Sequence, residues 1–237
     1  MNINKSYKKL IIFDLYGTLA CFSPSRDIIQ KNVVSKFGYK LSTEGINQGY
    51  FEAQKFFDLV NSSTPISRLN SKKKEHFFSK YEQIILKGDG IEVDLKEAGD
   101  IWKMISLQPY DMILYPNVRD VLLKLKKDKF LLGLATNIDQ TSKEISKKFN
   151  LEGIMDFVFT SKDLKLRKPD INFFKKIISI SKVPFTDVVF VGDQIENDIQ
   201  PAISLGISTI LIDRYSQYDK KIICPVIRDI KDIIKLV

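Results

Sequence analysis

The sequence predicts an α/β protein in which a parallel β-sheet core, flanked by helices, is interrupted by an all-helical insert. After residue 113, short apolar runs alternate with amphipathic helical stretches, which is typical of β-α-β units and a parallel sheet. One further apolar run, at residues 8–15, precedes a long stretch that shows only helical periodicity. We therefore expect residues 1–19 and 113–237 to form the core and residues 20–112 to form the insert.

The elements of the core are each predicted from a local pattern. Residues 8–15 form the first strand, because an apolar run of strand length ends there beside polar residues. Later apolar runs predict strands at residues 130–135, 156–159, 187–191 and 207–212. Amphipathic stretches predict helices at residues 118–127, 142–149, 171–181 and 198–205, and residues 222–236 complete the fold. Crossovers between parallel strands are right-handed, so we expect that hand here.

The insert shows helical periodicity without strand alternation. Four helices are predicted at residues 27–37, 43–60, 72–86 and 95–105, with loops at residues 61–65 and 87–90. The insert follows the carboxyl end of the first strand, and ligands of open parallel sheets bind at that edge. We therefore expect the insert to act as a lid over a site.

Composition argues against several classes of protein. Hydrophobic residues make up 44% and charged residues 28%, and no apolar run reaches the roughly 18 residues of a membrane span. The N-terminal segment lacks a signal-peptide pattern, so we expect a cytoplasmic protein. Cys21 and Cys224 do not make a disulfide framework. A single histidine, His76, argues against a Ser-His-Asp triad and against a multi-histidine metal site.

The net charge of +8 is unevenly distributed along the chain. Residues 20–112 hold 13 basic and 12 acidic side chains, whereas the rest holds 24 basic and 17 acidic ones. Only 6 of the 37 basic residues are arginines, which argues against a nucleic-acid partner because arginine forks dominate base and phosphate recognition. A basic core favours small anionic substrates.

Four polar clusters follow predicted strands, and in a parallel sheet they converge on one edge. They lie at residues 14–18, 136–137, 167–170 and 192–198. Grouped carboxylates repel one another unless a cation lies between them, and oxygen ligands suit Mg²⁺. A carboxylate can act as a nucleophile, while a lysine and a threonine at a helix start can hold phosphoryl oxygens. The set predicts Mg²⁺-assisted phosphoryl transfer through an aspartyl intermediate.

These four motifs, in this order and each at a strand end, resemble those of the haloacid-dehalogenase superfamily of aspartate-nucleophile hydrolases. The position of the insert is similar to that of the C1 subgroup, which has a helical cap domain after the first strand. The likeness covers essentially the whole core. It implies a Rossmann-like core with an all-helical cap, a hydrolase of phosphatase type, Mg²⁺ as cofactor and a small phosphorylated substrate.

The resemblance assigns catalytic and substrate-binding roles residue by residue. Asp14 matches the nucleophile, and Lys168 matches the lysine that steadies the nucleophile and the transferred group. Lys165 is a rival for the lysine role. Thr136 matches the hydroxyl that contacts phosphoryl oxygens, Asn137 is the adjacent polar residue, and Tyr16 is expected beside the substrate.

The resemblance also implies a metal-binding set. Asp193 matches the acidic residue that ligates Mg²⁺, and Asp198 matches the second acid, which supports the water shell of the metal. Asp14 and the backbone carbonyl of Tyr16 complete the expected ligands. Asp198 also has a simpler interpretation, as an acidic residue that the dipole of a helix N-terminus favours.

Tyr16 departs from the pattern of the phosphatases, which carry an aspartate at this position as general acid and base. Tyrosine has a pKa of about 10, and loss of acid–base help costs on the order of 10²–10⁴ in rate. One interpretation is a substrate with a good leaving group, such as an acyl phosphate. Another is a replacement acid, for which the candidates are Glu44, Glu52, Asp58 and Glu196. A third is that the protein is not a phosphatase. Tyr16 could also pack its ring under the cap and do no chemistry.

Two alternative functions remain open at the level of the sequence. Tyrosine followed by Gly-Thr is similar to the 2-haloacid dehalogenase branch, which uses no metal and needs no acid. The acidic fourth motif of this chain argues against that branch, because Asp193 and Asp198 would repel an anionic haloacid. The other alternative is a weakly active binding or regulatory relative. We expect a monomer or a homodimer.

Overall fold

A computed structural model describes residues 9–64, 66–218 and 222–237 of the chain. It divides into two compact units, one made of the described residues of Met1–Cys21 and Met112–Val237, the other of Phe22–Asp111. Lys8 of the predicted first strand and Pro65 of a predicted loop lie outside the described residues. None of the helices in the described ranges is long and apolar enough to cross a membrane.

The described residues form eight strands. In chain order they are β1 (Leu10–Phe13), β2 (Ala20–Ser23), β3 (Asp111–Leu114), β4 (Leu131–Thr136), β5 (Phe157–Thr160), β6 (Val188–Gly192), β7 (Ser208–Ile212) and β8 (Val226–Ile227). Six of them make one sheet in the order β5-β4-β1-β6-β7-β8, and every pair in it is parallel. This sheet confirms the predicted α/β, Rossmann-like core.

The helices of the same residues alternate with these strands or cluster between β2 and β3. They are α1 (Arg26–Val34), α2 (Thr43–Ser63), α3 (Ser71–Lys87), α4 (Leu95–Ser106), α5 (Val118–Lys127), α6 (Ser142–Lys148), α7 (Ser161–Leu164), α8 (Ile171–Ser181) and α9 (Gln200–Ser204). A π-helical turn at Ile195–Ile199 precedes α9, and 3₁₀ turns occur at Ser35–Phe37, Ile66–Arg68, Phe185–Asp187 and Ile230–Lys235.

Both faces of the central strand are buried, which explains its continuous apolar sequence. Leu10 and Ile12 of β1 pack into one hydrophobic cluster, with Phe173, Phe174 and Phe190. Ile11 and Phe13 pack into the other. Strand residues alternate between faces, so a strand with helices on both sides is apolar at every position.

Three local differences from the prediction lie at the ends of elements. β1 ends at Phe13, two residues before the predicted end, although the Asp14 N–H still donates to the Val191 carbonyl. The predicted helix at residues 198–205 begins as a π-helical turn, because the Gln194 carbonyl accepts from both Asp198 N and Ile199 N. α2 continues into the predicted loop, as far as Ser63.

The ends of the predicted all-helical insert contain strands. β2 and β3 form a separate two-stranded sheet at the two places where the chain passes from one unit to the other. Each strand has four residues and its partner is far away in sequence, so no local periodicity could indicate it. Within Phe22–Asp111, aromatic side chains of α2 and α3 form one core and apolar residues of α1, α3 and α4 form a second.

Candidate active site

The register of the sheet brings the first acidic residue beside the fourth polar cluster. β1 lies between β4 and β6, with Phe13 opposite Leu134 on one side and Val191 on the other. The Asp14 backbone N–H donates to the Val191 carbonyl at 2.9 Å, which extends the pairing by one residue. The residues that follow β1 and β6 are therefore neighbours, and Thr136 ends the strand on the other side of β1.

A buried lysine joins two of the predicted acids. Lys168 Nζ lies 2.6 Å from Asp14 Oδ1 and 2.6 Å from Asp198 Oδ1, and all three side chains are buried. Burial by itself would lower the pKa of Lys168, but the charges of Asp14 and Asp198 and the hydrogen bonds to them outweigh it and raise the pKa. Lys168 is therefore cationic at the site, whereas its rival Lys165 is exposed.

Asn137 anchors the backbone of the same lysine. Its Oδ1 accepts from the Lys168 N–H at 2.9 Å, and its Nδ2 donates to the Lys168 carbonyl at 2.9 Å. The Asn137 carboxamide thus supplies hydrogen bonds to the backbone of Lys168, which lies in an irregular segment after β5 and α7. This contact adds a positioning task to the substrate-binding role that the sequence predicts for Asn137.

Asp193, the third acid of the site, has a side-chain oxygen without a hydrogen-bond partner in the part of the chain that the structure describes. Oxygen atoms of Asp14, Asp193 and Asp198 lie within 4.8 Å of one another. Among the described residues, Asp193 Oδ1 is buried and has no hydrogen-bond partner. Burial, followed by the charges of Asp14 and Asp198, raises the pKa of Asp193 well above its usual value. Burial also raises the pKa of Asp198 to about 6, although the charge of Lys168 acts in the opposite direction.

This carboxylate cluster fits a divalent cation. Three carboxylates lie around one lysine, so the negative charge of the cluster exceeds its positive charge. The unpartnered oxygen, Asp193 Oδ1, can accept a further cation. Carboxylate oxygens are the ligands that Mg²⁺ prefers. The predicted ligands Asp14, Asp193 and Asp198 are therefore together, and Tyr16 lies two residues after Asp14 on the adjoining loop.

Two glycines let the backbone approach these carboxylates. Gly17 has φ +85°, and a Cβ at this position would lie 2.1 Å from Asp193 Oδ2. A Cβ at Gly192 would lie 2.4 Å from Asp198 Cβ. Only glycine permits both the left-handed backbone at residue 17 and this closeness to the acid.

A small pocket opens beside the acidic residues within the same unit. Its volume is about 130 Å³, enough for several water-sized groups, and its lining is polar in composition. Its lining residues are Asp14, Tyr16, Thr136, Asn137, Lys168, Gln194, Asn197 and Asp198. The pocket therefore combines the predicted nucleophile, lysine and substrate-binding residues in one place.

The structure also locates residues that the sequence prediction did not name or could not place. Gln194 and Asn197 line the pocket and hydrogen-bond to each other at 2.5 Å. They fall inside the fourth polar cluster, so the motif itself was the available signal. Of the candidate replacement acids, Glu44, Glu52 and Asp58 lie on α2 of the other unit. The fourth, Glu196, is exposed and absent from the pocket lining.

Comparison with known proteins places these features in a family of hydrolases. A family model described as haloacid dehalogenase-like hydrolase matches residues 11–212. A glyceraldehyde 3-phosphate phosphatase from Methanocaldococcus jannaschii is 28% identical over 225 residues, covering 89% of this chain and 91% of the relative. A ribulose-1,5-bisphosphate 5-phosphatase from Halopiger xanaduensis is 22% identical over 214 residues, covering 88% and 86%.

A solved structure with the same fold comes from a different chemistry. The 2-haloacid dehalogenase from Pseudomonas syringae pv. Tomato DC3000 has a TM-score of 0.55 and 19% identity, covering 97% of both chains. The shared fold therefore does not choose between attack on phosphorus and attack on carbon. That choice depends on the side chains of the site.

Proposed function

Because the chain belongs to the haloacid dehalogenase-like hydrolase family, we propose that it hydrolyses a small phosphorylated molecule through an aspartyl phosphate on Asp14. The observation that carries the proposal is the cluster of Asp14, Asp193 and Asp198 around the buried Lys168, with Asp193 Oδ1 left unpartnered. An acidic cluster of this kind suits a cation and a phosphoryl group better than an anionic haloacid.

The side chains of the pocket divide the work of the reaction. Asp14 attacks phosphorus while the bond from phosphorus to the leaving oxygen breaks and the leaving group departs. The ammonium of Lys168 holds Asp14 in place and offsets the charge on the transferred oxygens. Thr136 and Asn137, which line the same pocket, orient those oxygens. Water then cleaves the acyl phosphate and regenerates Asp14. Mg²⁺, held by Asp14, Asp193, Asp198 and the Tyr16 carbonyl, would supply charge neutralisation and Lewis acidity when bound.

The lining of the pocket supports a preference for good leaving groups. Its only carboxyl groups, among the described residues, are Asp14 and Asp198, and both contact Lys168. Tyr16 stands where the related phosphatases carry their acid, and no lining residue takes over that task. We propose that acyl and aryl phosphates react faster than alkyl phosphates such as sugar phosphates.

A substitution at Tyr16 tests this preference directly. Tyr16→Asp should raise turnover of an alkyl phosphate by about 10²-fold, because it restores a proton donor for the leaving oxygen. Turnover of an acyl phosphate should change much less. Equal wild-type rates on alkyl and acyl phosphates would contradict the proposed preference.

The central experiment measures phosphate release from an aryl phosphate, with Mg²⁺ and with EDTA. We expect Asp14→Asn to reduce the rate at least about 10³-fold and EDTA to abolish it. Asp120→Asn is the matched control, because Asp120 is an exposed carboxylate on α5 of the same unit.

The specific rival is a dehalogenase, which Tyr16 favours because a departing halide needs no proton. Halide release from 2-chloropropionate that persists in EDTA would support the rival and contradict the phosphatase. Failure to turn over any acyl, aryl or alkyl phosphate, together with absence of Mg²⁺ binding, would favour a binding or regulatory protein.

A further inference from the structure

Residues 213–218, which follow β7, contact residues 15–20, the loop that follows Asp14 (the nucleophile loop). Arg214 Nε donates to the Gly17 carbonyl at 3.1 Å, and its Nη2 donates to the Thr18 carbonyl at 2.8 Å. The guanidinium also stacks over the ring of Tyr115, 3.8 Å from the ring centroid. One side chain therefore holds two consecutive carbonyls of the nucleophile loop.

Residues 213–218 also contact the loop that carries Asp193 (the Asp193 loop). The Tyr218 hydroxyl donates to the Asp193 carbonyl at 3.1 Å. Arg214 and Tyr218 thus reach two different loops from positions four residues apart.

A buried aspartate gives the segment its shape. Asp213 is 3% exposed and accepts from the backbone N–H groups of Gln217 at 2.9 Å and Tyr218 at 3.3 Å. Arg228 forms an ion pair with it at 2.6 Å. These bonds close residues 213–218 into a turn, so that Arg214 and Tyr218 extend from one folded support.

We propose that Arg214 and Tyr218 are positioning residues that fix the distance between the nucleophile loop and the Asp193 loop. The proposal rests on the proposed function, since that distance sets how Asp14 and Asp193 share a cation. Neither residue lines the pocket, so each acts through the backbone that it holds. The contact is tight, because a Cβ on Gly17 would already overlap the Asp193 carboxylate.

The test compares Arg214→Gln with Arg119→Gln. Arg119 lies on α5 of the same unit and also donates to a loop carbonyl, that of Asn150 at 2.8 Å, so it controls for loss of an arginine-to-carbonyl bond. For Arg214→Gln we expect about tenfold faster hydrogen exchange at Gly17, Leu19 and Ala20, whose amides are hydrogen-bonded within the nucleophile loop. Arg119→Gln should leave those amides unchanged.

Two further readouts separate positioning from general stability. Calorimetric titration with Mg²⁺ should show about tenfold weaker binding to Arg214→Gln, and kcat on an aryl phosphate should fall about tenfold with KM within about twofold. Arg214→Lys should recover only part of each effect, because a single ammonium replaces a two-pronged donor. Tyr218→Phe should weaken Mg²⁺ binding by a smaller factor, since it loses one hydroxyl.

Each outcome decides the proposal. Unchanged exchange in the nucleophile loop would overturn it, and so would faster exchange with unchanged Mg²⁺ affinity and kcat. An inactive wild type would contradict the proposed function alone, because exchange and Mg²⁺ titration judge the positioning role without turnover. A wild type that binds no Mg²⁺ would contradict both.

Discussion

At the scale of single residues, the ammonium of Lys168 is a buried charge that needs compensation. It is 5% exposed, and an unpaired charge at such a depth would be strongly unfavourable. Two carboxylates at 2.6 Å compensate for the lost water. The two carboxylates outnumber the single ammonium, so the contacts that allow Lys168 to be buried also leave the site with a net negative charge.

Replacing Lys168 tests whether its charge is needed for phosphate release. Lys168→Met leaves Asp14 and Asp198 without their common partner, so we expect phosphate release to fall by about 10²–10³-fold. Lys165→Met is the control, because Lys165 is an exposed lysine three residues away. Both variants are assayed for phosphate release after circular dichroism confirms that they are folded. A loss of less than about threefold in Lys168→Met would contradict the role.

The glycine after Tyr16 provides a second test at this scale. Gly17→Ala puts a methyl group against the Asp193 carboxylate in addition to straining a backbone with φ +85°. Gly153→Ala is a matched control, because Gly153 has φ +75° with nothing within 4 Å of the added Cβ.

Both alanine variants should lose about 1 kcal/mol of stability from the backbone conformation. Only Gly17→Ala should also lose about 10²-fold in phosphate release, since the added methyl displaces Asp193. Thermal unfolding and the activity assay measure the two effects separately. Equal activities of the two variants would show that the approach of Gly17 to Asp193 is unimportant.

The sequence could indicate the acids and the lysine of the site but not the contacts that hold the surrounding backbone in place. Asp14 and Asp193 directly follow apolar strands, so strand prediction alone brings them to one edge. The bonds of Asn137 to Lys168 and of Arg214 to Gly17 join residues far apart in the chain. No local pattern carries such contacts, because they depend on the packed positions of whole loops.

At the scale of elements, prediction succeeds where burial is one-sided. The bounds predicted for α5 and α8 match those observed, since each helix has a regular apolar stripe against the sheet. β1 ends two residues before its predicted bound, whereas β4, β5 and β6 each begin and end one residue later than predicted. The helix predicted at residues 198–205 is preceded by a π-helical turn at Ile195–Ile199, which overlaps it by two residues and has no periodic signal of its own.

Three helices of Phe22–Asp111 are joined by a polar network inside their apolar core. Glu82 on α3 is fully buried and accepts from Gln30 on α1, whose Oε1 accepts from the Tyr50 hydroxyl of α2 at 3.1 Å. Arg26 stacks on the Tyr50 ring, and buried Tyr81 lies nearby. Burial, which the hydrogen bond from Gln30 only partly offsets, raises the pKa of Glu82 to about 8.

This raised pKa makes the stability of the helical unit depend on pH. Unfolded Glu82 ionises near pH 4.5 and folded Glu82 near pH 8, so its stabilising contribution is complete below pH 4.5 and lost as pH rises through 8. Glu82→Gln cannot ionise, so between pH 5.5 and pH 8.5 it should lose about 1–3 kcal/mol less than the wild type.

Urea unfolding at the two pH values measures this difference. Glu75→Gln is the control, because Glu75 is an exposed carboxylate on the same helix and should follow the wild type. Parallel pH dependence in the wild type and in Glu82→Gln would mean that Glu82 is ionised in the folded protein throughout.

At the scale of the whole molecule, the excess positive charge belongs to the unit that holds the acidic site. Phe22–Asp111 contains 13 basic and 12 acidic side chains, and the α/β unit contains the remaining 24 and 17. Near the pocket the local charge is negative, since three acids face one lysine. We therefore expect the excess positive charge of this unit to attract, at long range, an anion that the acids alone would repel.

Salt should weaken that attraction without changing the chemistry. Raising KCl from about 20 mM to about 200 mM shortens the screening length to below about 10 Å, so kcat/KM for a dianionic aryl phosphate should fall about three- to tenfold. With Mg²⁺ kept saturating, kcat should stay within about twofold, since we propose that Lys168 and Thr136 hold the bound substrate at contact distance. Steady-state kinetics across the salt series, with thermal unfolding at each step, tests this. A constant kcat/KM would mean that the basic surface of the α/β unit does not guide the substrate, and a parallel fall in kcat would locate the effect of salt in the site itself.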